Sequence, residues 1–241
     1  YVAQRVALRA RMTYGVMAGN DNLTTEVFRM NRNLHFKSDI YEASFVIEVH
    51  PYKEELGHVH SLRGVAGQKS TRLGLYAFTG IAGFYYDPKA QFENTWVRLK
   101  PLGTEGQGLP GGPDEYSNFS FGIPIGVGVR KALSKNMSMG LEIQYTKTFT
   151  DYIDDVSTEY FDNDLILAAH GEEAAFLADQ SLHLAALMDH SDPTATGQQR
   201  GDPKDLDAYL FMKVQVHYKL TKYKSSGKKY RTRIRRQKIV F

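Results

Sequence analysis

Cysteine is absent from the 241 residues. That removes disulfide scaffolds, thiolate zinc sites, iron–sulfur clusters and cysteine nucleophiles together. No stretch approaches the ~18 consecutive apolar residues of a membrane-crossing helix. Mean hydropathy is low at −0.41, yet a membrane barrel, whose wall turns only every second residue to lipid, keeps the same low average. Tyr1 opens without a signal-like segment, and the sequence is expected to start either after processing or after residues that precede it. Charge of one sign is missing in two places. Residues 151–199 hold eleven acids and no Lys or Arg, whereas residues 221–241 hold nine basic residues and no acid. Residues 1–220 therefore carry 21 basic against 27 acidic residues. An ordinary charged fraction of 24% argues against wholesale disorder.

What the chain has in abundance is alternation. Phe119, Phe121, Ile123, Ile125, Val127 and Val129 alternate with small or polar neighbours. So do Met137, Met139, Leu141, Ile143 and Tyr145, and Leu210, Met212, Val214, Val216 and Tyr218. Val6, Leu8, Ala10, Met12, Tyr14 and Val16 form a fourth set, and Tyr41, Ala43, Phe45, Ile47 and Val49 a fifth. Residues 73–86 are strand-like but apolar on both faces, and residues 95–102 read as a short extra strand inside a loop. A period of two marks half-buried strands. Six such strands of about 11–13 residues exceed the globular mode of ~5–6 and match the ~9–11 needed to cross a bilayer.

Periodicity alone does not separate a membrane barrel from a soluble one turned inside out. The other face bears on the choice. Arg9, Arg11, Glu42, Glu48, Glu142 and Lys213 occupy central strand positions, three basic and three acidic. In a narrow lumen opposite charges must pair, because unpaired buried charge is expensive. Gly122, Gly126, Gly128 and Gly140 suit a crowded interior. The expected fold is a small antiparallel transmembrane β-barrel over residues 1–220, with a basic tail over 221–241. In it Phe121, Ile123, Ile125, Val127, Leu141, Ile143, Val214 and Val216 face lipid, and Gln144 joins the six charged residues inside.

The connections fit that picture. A short KALSKN turn joins two strands, whereas residues 151–207 form a long loop, as expected for periplasmic turns and extracellular loops. Residues 51–70 are long for the turn side. Within the long loop, residues 172–190 are rich in Ala and Leu behind Glu172 and Glu173, and predict a helical insertion. The tail is expected on the same, periplasmic side as the short KALSKN turn.

Sites of chemistry are sparse. His50, His58 and His60 include an H-x-H spacing without a fixed third ligand, so no metal is assigned. Asp151, Asp154 and Asp155 offer oxygens to calcium but lack EF-hand spacing, and equally suit hydrogen-bonded turns. LGTEGQGLPGG lacks the pattern of a nucleotide loop, and no serine sits in an elbow motif, so no cofactor and no catalytic residue is assigned. Trp96, Tyr14, Tyr85, Tyr86 and Tyr218 suit interfacial aromatic belts or ordinary β-sheet preference.

The strings FYYDPKA, WVRLKPLGTEGQGL, FGIPIGVGVRKALSKNMSMGLEI, KTFTDYIDDVSTEY and QRGDPKDLDAY, in that order, resemble the PorG-type outer-membrane barrels of the type IX secretion system. The resemblance implies an eight-stranded barrel in the outer membrane that associates with a periplasmic ring lipoprotein. It also implies about two further strands ahead of Val6. The expected function is then a non-enzymatic component of the secretion apparatus, in contact with outer-membrane lipid and with no nucleic acid. Lys222, Lys224, Lys228, Lys229, Arg231, Arg233, Arg235 and Arg236 would dock an acidic partner surface. Two other readings stay open at this point: a small outer-membrane enzyme acting on lipid or peptide, and a soluble ligand-binding barrel.

Overall fold

A computed structural model describes residues 5–52, 73–134, 136–184 and 192–218. Six long strands form one antiparallel sheet: β1 (Val6–Asn20), β2 (His35–Tyr52), β3 (Leu73–Phe92), β5 (Phe119–Ala132), β6 (Met137–Thr148) and β7 (Ala208–Tyr218), hydrogen-bonded in that order. The short β4 (Thr95–Arg98) folds back on the end of β3. The sheet curls into a small, nearly closed all-β barrel. Among the described residues no helix is long and apolar enough to cross a membrane.

The alternation sets the wall. Every residue expected outside is outside, from Ile143 at 38% exposed to Val214 at 67%. Glu42, Glu48, Glu142 and Gln144 are buried on the inner face. In β3 both faces are apolar for separate reasons: Leu75, Ile81 and Tyr85 point out, while Tyr76, Phe78, Phe84 and Tyr86 fill the lumen. Those rings need space opposite. A Cβ on Gly126 would stand 2.3 Å from the Phe78 ring, and one on Gly128 2.2 Å from the Tyr76 ring, so glycine there lets the aromatics cross the interior.

Tyr86 therefore leaves the expected aromatic belt and joins the core with Ile40, Phe84, Tyr116, Ile153 and Tyr209. A row of exposed aromatics crosses four neighbouring strands at one level. Tyr14 pairs in register with Tyr41, Tyr41 with Tyr85, and Tyr85 with Phe119, all exposed. The Tyr14 and Tyr41 rings lie 4.9 Å apart and the Tyr41 and Tyr85 rings 6.4 Å.

β1 and β7 are the sheet edges and do not pair with each other. Two additional strands at ~4.8 Å spacing would hold these edges ~14 Å apart. The seam is narrower than that. Lys213 Nζ donates to Thr13 Oγ1 at 3.1 Å, and the Phe211 ring stands 2.5 Å from where a Cβ on Gly15 would be. Side chains thus bridge on the lumen side what backbone hydrogen bonds leave open.

The loops add α1 (Val27–Arg32), α2 (Asn163–His170) and α3 (Glu172–Ala178) above one rim. The helix expected over residues 172–190 stops at Ala178, with Asp179 as its C-cap. Beyond it the backbone bonds elsewhere: Leu182 and Leu184 donate their amides to Asn31. Residues 185–191 lie outside the described residues, as do 53–72, His58, His60 and the tail 219–241. The strand expected over 95–102 is shorter, ending at Arg98 before a 3-10 turn.

Candidate functional site

Two polar assemblies occupy the interior. The first is the expected lumen network. Glu142, fully buried, accepts from Arg9 Nη2 at 2.7 Å, Arg11 Nη1 at 2.7 Å and the Tyr76 hydroxyl at 2.9 Å. Arg9 Nε also lies 2.5 Å from Glu48 Oε1, and Glu48 faces His50 Nε2 at 3.2 Å. Glu42 takes the Tyr209 hydroxyl at 2.7 Å, Gln144 Nε2 at 2.9 Å and the Ser44 hydroxyl at 3.0 Å, with Arg11 3.8 Å away. Both arginines lie over aromatic faces, Arg11 4.8 Å from the Phe78 centroid and Arg9 5.3 Å. Five of the six expected residues are thus joined by ion pairs. Lys213 differs: its ammonium donates to Gln144 Oε1 at 2.7 Å and to Thr13, and reaches Glu42 only through that amide.

The second assembly ties the long loops together where the recognisable strings meet. Glu105 of GTEGQG is buried and accepts from the Ser157 amide at 2.9 Å, the Thr158 amide at 3.1 Å and the Thr158 hydroxyl at 2.7 Å. Arg200 of QRGDP donates to Glu105 Oε1 at 3.0 Å and to the Asp155 carbonyl at 2.7 Å. The Asp155 carboxylate accepts from Thr104 Oγ1 at 2.5 Å and the Tyr116 hydroxyl at 2.6 Å. Burial pushes Asp155 up to about 6, against the opposing pull of Arg200 and the two hydroxyls. Burial also raises the Tyr116 phenol, so it stays a donor. The Tyr116 ring stacks between Tyr86 at 6.3 Å and Tyr152 at 4.5 Å, linking this junction to the lumen core.

The sequence singled out these strings without showing that their charges meet, since Glu105, Asp155 and Arg200 lie far apart in the chain. Three acid–base partners embedded in Gly- and Asp-rich loops were the available signal. Of the aspartates weighed for calcium, Asp155 is committed to Thr104 and Tyr116, while Asp154 Oδ1 accepts from the Val156 amide at 3.1 Å. Among the described residues no three His, Asp or Glu side chains are grouped to hold a metal ion.

Trp96 is half exposed at the loop-side rim, with Lys37 Nζ 5.6 Å from its ring. The eight basic tail residues expected to bind a partner lie outside the described residues.

Among curated proteins and solved structures, none matches the chain. Residues 2–167 match the family described as "Domain of unknown function (DUF6089)". That span runs from β1 into α2 and includes Glu105 and Asp155, but ends before Arg200 and β7. It covers well over half of the sequence, and the chain belongs to the DUF6089 family.

Proposed function

We propose that this barrel sits in an outer membrane and serves as a non-enzymatic structural component of a type IX secretion apparatus, orienting a periplasmic ring lipoprotein. The observation that carries the membrane part is the inverted wall: apolar residues outside on all six long strands, charged residues buried inside. A water-soluble barrel needs the reverse. The apolar band also has a fitting height. From Phe119 to Val129 in β5 there are ten residue steps, which at ~3.3 Å each and a tilt of ~40° span about 25 Å, the hydrocarbon height of such barrels. An aromatic row at one border is where a headgroup interface would lie.

The secretion role rests on the resemblance of the loop strings. A lumen locked by ion pairs supports a wall that anchors rather than conducts. The tail, with its basic residues from Lys222 to Arg236, is the docking element for an acidic face of the ring lipoprotein. Two experiments test the reading. The purified chain should need detergent to stay in solution and run faster on gels when unheated than when boiled; solubility without detergent overturns the membrane assignment. Deleting residues 222–241 should leave that mobility shift intact and release the ring lipoprotein at raised salt. Unchanged co-purification overturns the docking role.

A further inference from the structure

Beside the loop junction lies a cavity of about 1150 Å³, walled by the end of β1, α1 and the loop between β6 and β7. Four side chains that line it carry a polar atom buried without a hydrogen-bond partner: Asn31 Nδ2, Asp151 Oδ2, the Tyr160 hydroxyl and Arg200 Nε. These residues are 1%, 8%, 5% and 4% exposed, so each orphan is more than nine-tenths removed from solvent. Buried polar groups are nearly always paired, because an unmade hydrogen bond costs the full desolvation of the group. The four side chains share one cavity wall, and turning any of them into the cavity would offer its unpaired atom to a ligand there.

The charge of the wall says what. Asp151, Asp154 and Asp207 line the cavity, as do Asp202 and Asp205. The cations that line it are largely committed: Arg32 pairs with Asp21 at 2.8 Å and Arg200 with Glu105 at 3.0 Å, leaving Arg29. The aspartates are therefore in excess. A bare metal ion is a poor match, since the described residues include no three such groups arranged around one point. A larger cation with directed N–H donors suits the spread carboxylates, and Asn31 Nδ2 and Arg200 Nε, being donors, call for carbonyl acceptors on the same ligand.

We propose that this cavity binds a basic peptide segment, with Asp151, Asp154 and Asp207 receiving a lysine ammonium or arginine guanidinium and Asn31, Tyr160 and Arg200 meeting its backbone carbonyls. This does not depend on the secretion role: it concerns the loop-side face, whatever the periplasmic face docks.

The test uses the detergent-purified full chain and titration calorimetry with acetyl-Arg-Arg-Arg-amide, against acetyl-Glu-Glu-Glu-amide and calcium chloride. The expected result is one-to-one binding of the tri-arginine peptide alone. Asp151→Asn combined with Asp154→Asn should raise its Kd at least tenfold, and Asn31→Leu severalfold. Unheated gel mobility identical to the parent shows that each variant is folded. If the aspartate variants misfold, Tyr160→Phe, which deletes only a hydroxyl, serves instead and should raise Kd severalfold. No saturable binding, equal binding of the glutamate peptide, displacement by calcium at equimolar level, or a Kd unmoved in the folded variants each overturns the proposal.

Discussion

Glu142→Gln removes one negative charge from the centre of the lumen while keeping the side chain's size. In the parent, one fully buried carboxylate takes two guanidinium hydrogen bonds at 2.7 Å and a phenol at 2.9 Å. Charge-assisted bonds contribute ~1.5–3 kcal/mol each, so the gross loss from three is about 4.5–9. Two effects reduce it. Arg9 keeps Glu48 at 2.5 Å, and the new amide oxygen still accepts one donor. Arg11 fares worse, retaining the Ser44 hydroxyl at 2.8 Å and Glu42 at 3.8 Å. A net destabilisation of about 3–5 kcal/mol follows, the usual cost of leaving one partner of a buried pair behind. Urea unfolding of the refolded barrel, followed by loss of the unheated gel band, measures it. A companion variant separates charge from packing: replacing Arg9, Arg11, Glu42, Glu48 and Glu142 together by Leu, Met or Gln removes all five ion-paired charges and should recover most of the loss. If Glu142→Gln unfolds within about 1 kcal/mol of the parent, the network is not what holds the lumen, and the reasoning fails.

Three further outcomes are expected. Gly126→Ala places a Cβ 2.4 Å from the Ile143 carbonyl and 2.3 Å from the Phe78 ring, and the overpacking should lower stability by ~1–3 kcal/mol in the same unfolding assay. Glu105→Gln halves the acceptors for the Ser157 and Thr158 amides and uncouples Arg200, so hydrogen exchange at these amides should accelerate tenfold or more with the barrel strands unaffected. Burial pushes Asp151 up to about 6, and burial followed by neighbouring aspartate charge raises Asp154 and Asp207. Carboxyls raised on folding stabilise most in acid, below ~4, and lose that contribution as pH rises through their folded values. Protease nicking within the loop 151–207 should therefore be slower at pH 5 than at pH 8, and a pH-independent rate would contradict the burial of these groups.

The barrel wall was legible because its information is local: each residue's face follows from its parity within a strand, and one buried face forbids slippage. Pairing of Arg9, Arg11 and Glu142 was legible for the same reason, since inward charges in a narrow interior have few places to go. Lys213 was not, because whether an ammonium meets a carboxylate or an amide depends on which rotamers fit beside Gln144 and Thr13. The helix over 172–190 was misjudged in length. Its Ala- and Leu-rich composition is intrinsically helical, yet Asn31 captures the Leu182 and Leu184 amides from a distant part of the chain, and tertiary bonds override propensity. The Glu105–Arg200 junction joins residues from separate loops and leaves no periodic trace. The narrow seam between β1 and β7 was not legible, because strand counting carries no information on how far a curled sheet closes on its own side chains.

That seam makes the wall a ribbon rather than a ring. In a fully hydrogen-bonded barrel every strand has two neighbours, and loss of any one breaks two ladders. Among the described residues β1 and β7 each hold by one ladder, so opening of the described sheet begins at either margin and proceeds toward β3, which is flanked on both sides by long, intact partners. Amides and carbonyls that the described residues leave without a backbone partner along both margins would be costly in hydrocarbon. Lys213, Thr13 and Phe211 draw the two margins together, so substitutions at these three positions should loosen the described sheet along that line first.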